Sequence, residues 1–407
     1  MKEKRLKKES PWTAEAYTTV WVGFLLRLVM LIIILYIAGQ YWDLYYLEDD
    51  RLFEVLANRY LYNARAIIDW EMVEALTTGW TSPFWAYVLC FSAGLTRTIH
   101  AARYINIVLS TLCIAVTYSL CYEVSGNQKT ALTAARLFAF MPFSVMVCCF
   151  PIKDIFIMFG TMYAFFLFVR VQNGRKVSVP QYVLLAILLT CIYFCRGGVS
   201  ELLLLFLLVY LMQQLLVSKK HLAALILLAG SVVVLVIFRD ELFGAFSAKL
   251  ETYGNYGVDE AAGLNAIRVT GITDIYKLPL AYAFAMLQPM KLEWFTEVED
   301  VRPWRTVMTY ANMTAYPIVV GSWLYMFVKK HNLFFWLSSF AMFSAVIVLS
   351  LGVSRHYLFL LPIHMINYSL YIEEAHENHK NRKTLVTVGT FALFVLVFCY
   401  SLFKALF

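Results

Sequence analysis

The sequence predicts an all-α, polytopic membrane protein, and three observations carry that prediction. Apolar residues make up 61% of the 407 and charged residues only 15%, whereas a soluble domain carries about a quarter charged and about half apolar residues. Runs of roughly twenty apolar residues, the length that crosses a ~30 Å hydrocarbon layer, recur along the chain. Lysines and arginines gather in short clusters between those runs, the pattern that sets orientation in a bilayer. A mean hydropathy of +0.67 agrees. The expected fold is a helical bundle forming one integral membrane domain, residues 1–407, without room for a large soluble domain.

The basic start MKEKRLKKES, followed by the apolar run 18–38, has the flanks of a signal peptide. The run is too long for one, however, and no small-residue cleavage site follows, so it reads as an uncleaved first span entered from the cytoplasm. Further runs lie at 81–99, 103–122, 130–150, 154–171, 180–195, 198–216, 221–239, 276–290, 309–328, 332–351, 356–372 and 385–405. Those at 81–99 and 276–290 are weak: the first ends in Arg97-Thr98-Ile99-His100, and the second is short, with Gln288 and Pro289 near its end. If both stay interfacial or re-enter without crossing, about eleven spans remain. Lys129, the stretch from Arg170 to Lys176, Lys219-Lys220, Lys329-Lys330, and Lys380, Arg382 and Lys383 then all fall on the cytoplasmic side. Counting 81–99 as a span would put the first three clusters outside. The expected topology has the N-terminus inside and the C-terminus outside, with external loops at 40–102 and 240–308 and external turns at 150–154, 195–201 and 352–356.

The net charge of +7 is therefore topology, and no nucleic-acid partner is expected. The eight cysteines sit mostly inside apolar runs without CxxC spacing, as small buried apolar residues. GxGxxG, Walker and HExxH patterns are absent from the sequence, so a cytoplasmic nucleotide site has no support. Polar chemistry collects in the external loops. Just past the first span stand Glu48-Asp49-Asp50. Adjacent carboxylates raise one another's pKa, which makes one a competent general base while another orients it or holds a cation. The same triplet also fits a hydrated loop, or the acidic first turn of a helix over Phe53, Leu56, Ala57 and Tyr60.

An Asp-Asp-x-x-Phe element (Asp49 to Phe53) directly after a cytoplasm-initiated span, an amphipathic stretch behind it and a Gly79-x-x-x-Pro83 step resemble the C-type glycosyltransferase superfamily, the GT-C fold. More of the pattern follows in order: Arg103-Tyr104-Ile105-Asn106 opening a span, Met141-Pro142 to Pro151-Ile152-Lys153-Asp154, Arg302-Pro303-Trp304, and Ser354-Arg355-His356-Tyr357 before Pro362. The similarity extends to bacterial surface-polysaccharide and lipid glycosyltransferases and to the protein mannosyltransferase and aminoarabinose transferase families. It implies an enzyme of a bacterial cytoplasmic membrane, with its site on the external face, moving a sugar from a polyprenyl-phosphate donor to a glycan, lipid or protein acceptor with inversion. By the resemblance Asp49 is the catalytic base and Asp50 the acidic residue beside it. Asp50 and Asp154 would hold a divalent ion, magnesium or manganese, where one is used, and no other cofactor is implied. The sequence departs from the best-known members in showing no C-terminal soluble domain, which favours a small bacterial enzyme.

Such a reaction needs cations where the donor phosphate departs at headgroup depth. Arg196, in Cys195-Arg196-Gly197-Gly198, and Arg355 sit at expected external span ends, and arginine pairs with phosphate bidentately. His356 joins them by the resemblance. Snorkelling or an ion pair, for instance Arg196 with Glu201, is the structural alternative for both arginines. Glu48, Trp294, Trp304 and Arg302 are the candidate sugar contacts; an interfacial aromatic belt accounts equally for the tryptophans. Arg27, mid-span, and His364 read as interior hydrogen-bonded groups. A polymerase acting on lipid-diphosphate-linked repeat units, relying on external arginines, is the nearest rival. A glycolipid flippase is the rival of another class, although broken segments at 81–99 and 276–290 lack the matching flanks expected of inverted repeats.

Overall fold

The computed structural model describes residues 12–37, 82–217, 221–237, 303–328 and 358–378, with a few single positions elsewhere. Among them every regular element is a helix. In chain order these are α1 (Ala14–Ile32, continued by a π-helical turn Ile33–Ile37), α2 (Pro83–Thr96), α3 (Ala101–Ser125), α4 (Gln128–Phe140), α5 (Pro142–Val147) and α6 (Asp154–Gln172). There follow α7 (Val179–Val217), α8 (His221–Ile237), α9 (Pro303–Met313), α10 (Tyr316–Val328) and α11 (Leu361–Asn378).

Local chemistry accounts for the boundaries. Pro83, Pro142, Pro180, Pro303, Pro317 and Pro362 each occupy the first or second position of a helix, where a missing N–H costs nothing. Thr13 and Asn127 cap α1 and α4, their side chains accepting from the backbone N–H groups of Ala16 and Lys129. Gly126, at φ 68°, closes α3 in the left-handed conformation that an achiral residue adopts without strain.

Among the described residues four helices are long and apolar enough to cross a membrane: Ala14–Ile37, Ala101–Ser125, Asp154–Gln172 and Val179–Arg196. The expected run at 81–99 is a 14-residue helix, about 21 Å long and short of a bilayer's hydrocarbon. The runs at 130–150 and 309–328 are each two helices, broken before Pro142 and before Pro317. The runs at 276–290, 332–351 and 385–405 and residues 240–302 of the long loop lie outside the described residues, isolated positions apart.

Inside α7 the backbone leaves helical geometry at Arg196 (φ −162°, ψ 85°). Ser200 Oγ donates to the carbonyl of Leu189 at 3.0 Å, residues that a straight helix would hold about 16 Å apart. The chain therefore turns sharply at Arg196, where the sequence places a turn between two runs. α3 forms the centre of the bundle, packed by α1, α2, α4 and α6; the α7 hairpin lies against α6 and α2, α11 against α4 and α10, and α9 on α5. Phe138, Phe143, Phe150 and Phe165 are wholly buried in the core.

Candidate active site

The turn between α5 and α6, Cys148 to Lys153, lies at one end of the bundle, beside the start of α3 and the Arg196 turn. Arg103 and Asn106 stand three apart on α3 and so share a helix face; both are completely buried. Arg103 Nη1 donates to the Cys149 carbonyl at 2.9 Å, and its guanidinium lies 5.8 Å from the Phe150 ring centre. Asn106 Nδ2 donates to the carbonyls of Phe150 at 2.7 Å and Ile152 at 2.9 Å. Trp85, on α2, donates from Nε1 to the Pro151 carbonyl at 2.9 Å.

The charged groups follow directly. Lys153 donates to Ser82 Oγ, which donates onward to the Cys195 carbonyl at 3.0 Å. Asp154 opens α6, where the helix dipole favours a carboxylate, and one of its oxygens lies 3.3 Å from Arg196 Nη1. The Asp154 side chain is wholly buried and that of Arg196 13% exposed. Arg196 thus pairs with Asp154, and the ion pair joins α6 to the α7 turn. An ammonium and a guanidinium beside one buried carboxylate suit an anionic ligand better than a divalent cation, whose ligands are oxygens. Among the described residues no group of three His, Cys, Asp or Glu side chains is placed to hold a metal.

Of the residues singled out from the sequence, the structure brings together Asp154 and Arg196. Trp304, at the start of α9, is 3% exposed and meets Phe150 edge-on at 5.9 Å, so it packs behind the same turn. Glu48, Asp49, Asp50, Trp294, Arg302, Arg355 and His356 lie outside the described residues. Sequence reading attached no role to Lys153, Arg103 or Asn106 and passed over Ser82 and Trp85. The i, i+3 spacing of Arg103 and Asn106 was the available signal; Ser82 and Trp85 carry none.

No family model matches the sequence, and no curated protein matches it either. Two solved structures are similar in shape. The archaeal oligosaccharyltransferase AglB of Archaeoglobus fulgidus, in complex with an inhibitory peptide and a dolichol-phosphate, aligns at a TM-score of 0.46 with 12% identity, over 96% of this chain and 56% of its own. An Archaeoglobus fulgidus oligosaccharyltransferase with zinc and sulfate aligns at 0.38 with 16% identity, over 79% and 44%. The chain thus spans about half the length of the structures it matches.

Proposed function

We propose that this chain is an integral-membrane glycosyltransferase that moves a sugar from a polyprenyl-phosphate donor to a glycan, lipid or protein acceptor at the outer face of a bacterial cytoplasmic membrane. The observation that supports it best is the meeting, at one bundle end, of two segments that separately resemble the C-type enzymes, Arg103 to Asn106 and Pro151 to Asp154, with Arg196, the cation expected at the donor phosphate. Buried ionisable groups in a membrane protein are costly, so a cluster of them at one bundle end supports a working site there.

In this proposal Asp49 takes the proton from an acceptor hydroxyl. The oxygen attacks the anomeric carbon from the face opposite the phosphate; the new bond forms as the bond to the phosphate oxygen breaks, with inversion. Arg196, Arg355 and His356 receive the negative charge that develops on the departing phosphate, the kind of stabilisation that contributes most to such reactions. Asp154 keeps the Arg196 guanidinium oriented. Glu48, Arg302 and Trp294 line the sugar side, while Trp304, buried against Phe150, packs behind the turn.

Transfer from purified polyprenyl-phosphate sugars into a membrane extract tests this directly. The wild type is expected to transfer, and Asp49→Asn to lose ~10²-fold or more, the usual contribution of a general base, while eluting normally in detergent gel filtration. Turnover of a diphosphate-linked oligosaccharide without any use of monophosphate donors would replace the proposal with a polymerase. Translocation of a glycolipid without bond formation would replace it with a flippase.

A further inference from the structure

Six consecutive residues, 149 to 154, are each tied by a side-chain contact to α2, to α3 or to the segment around the α7 turn. The carbonyls of Cys149, Phe150, Pro151 and Ile152 accept from Arg103, Asn106, Trp85 and again Asn106, at 2.7 to 2.9 Å. Lys153 is bonded to Ser82 and Asp154 is paired with Arg196. A linker shut away from water must find donors for its carbonyls, and Pro151, lacking an N–H, interrupts any helical solution there. Satisfaction alone would be served by donors from anywhere. Here they come from buried side chains on two different helices, so the linker is fixed relative to both. It ends on the carboxylate that orients Arg196.

We propose that Asn106, Arg103 and Trp85 are positioning residues for the transfer reaction: they clamp the 149–152 carbonyls so that Asp154 holds Arg196 to meet the donor phosphate in one fixed geometry. This role rests on the reading of the chain as a sugar transferase. A misplacement of about an ångström in such a group costs ~10²-fold in rate. The clamp therefore acts on kcat, whereas a linker that is merely satisfied would act on stability alone.

The test uses the full-length protein in detergent, with transfer kinetics and hydrogen–deuterium exchange measured on the same preparations. Asn106→Leu removes both bonds of one amide at nearly constant volume. Trp85→Phe keeps a ring and removes the bond to Pro151 with some packing against Phe156, so it serves if the first variant does not fold. Ser322→Ala, which loses a buried hydrogen bond to His364 far along the chain from the linker, is the stability control. Asn106→Leu is expected to lower kcat ~10²-fold, with a much smaller change in KM, and Trp85→Phe to lower it about fivefold. Adding Asp154→Asn to Asn106→Leu should cost little more, because the position it alters is already lost. Amide protection over 152–157 should fall in Asn106→Leu and hold in α1. Full additivity of the two substitutions, or a kcat no lower than that of Ser322→Ala, overturns the positioning role. Unchanged exchange over 152–157 overturns the clamp itself. A wild type inert with every lipid-linked donor removes the transferase reading and this role together, a result separable from the exchange outcome.

Discussion

Arg27 shows how a single side chain makes a broken membrane helix tenable. It lies in the middle of α1, wholly buried, and a guanidinium at that depth is stable only when its donors are used. Nε donates to Ser110 Oγ at 2.8 Å, Nη1 to the carbonyls of Gly23 and Ala139 at 3.0 Å each, and Nη2 to the Phe138 carbonyl and Ser144 Oγ at 3.3 Å. Phe138 and Ala139 belong to the last turn of α4, whose carbonyls lose their helical partners because Met141 is extended and Pro142 cannot donate. Arg27 is thus a cationic cap on the C-terminal end of α4. Arg27→Met is expected to strip that cap, at about 1–3 kcal/mol for the Ala139 carbonyl it orphans, while Phe138 keeps its bond from Ser144 Oγ at 2.6 Å, and to lower the melting temperature in detergent by several degrees. Arg27→Lys should recover only part, since an ammonium lacks the planar fork. A methionine variant as stable as the wild type would refute the cap. The interior, structural role of Arg27 was legible from its place mid-span, as was that of His364, which is wholly buried with Nδ1 3.0 Å from Ser322 Oγ. The pairing of Arg196 with Asp154 was not, because it depends on how α6 docks against the α7 turn, which no periodicity encodes.

At the scale of elements, proline and cap chemistry made most helix starts readable, and apolar length made the runs readable. What composition hid was that two runs are each divided: an apolar stretch stays apolar across a break, and only Pro142 and Pro317 mark where the ladder stops. Close approach between helices was equally hidden, because it depends on which small residue faces which neighbour. Gly160 of α6 faces the first limb of α7, where an added methyl would lie 2.6 Å from Ile192 Cδ1 and 3.7 Å from Leu188 Cβ. These two helices carry Asp154 and Arg196, so their spacing sets the ion pair. Gly160→Leu should overpack the contact at about 1–3 kcal/mol and lower transfer with it, and Ile192→Ala in the same chain should restore a good part of both. Thermal unfolding together with the transfer assay decides this. If Ile192→Ala makes the leucine variant worse, the two residues do not share the tight contact.

At the scale of the whole molecule, the bundle has two chemically different ends. At one, Trp12 before α1 packs on Tyr118 near the end of α3. Glu123 pairs with Arg175 at 3.0 Å and with Arg170 at 3.9 Å, and Glu373 is held by Asn127 and Thr130 at the start of α4. At the other end stand Ser82, Lys153, Asp154 and Arg196. The basic residues Lys129, Arg170, Arg175 and Lys176 therefore share the end where α1 begins, as the alternation of loops in the sequence required. We propose, from the positive-inside rule, that this end faces the cytoplasm and the Asp154 cluster faces out. A cysteine at position 175 should then be protected from impermeant thiol reagents in intact cells and become reactive after permeabilisation. One at position 258, outside the described residues, should react at once. The background is favourable: Cys90, Cys113, Cys121, Cys148, Cys149 and Cys195 are buried, leaving half-buried Cys191, and Cys399 outside the described residues, to be replaced by alanine. Reversal at both positions would turn the Asp154–Arg196 pair toward the cytoplasm, where soluble activated sugars are at hand and a lipid-phosphate donor presented at the outer leaflet could not reach it. Orientation and donor class therefore stand or fall together, and the labelling experiment bears on the chemistry before any substrate has been identified.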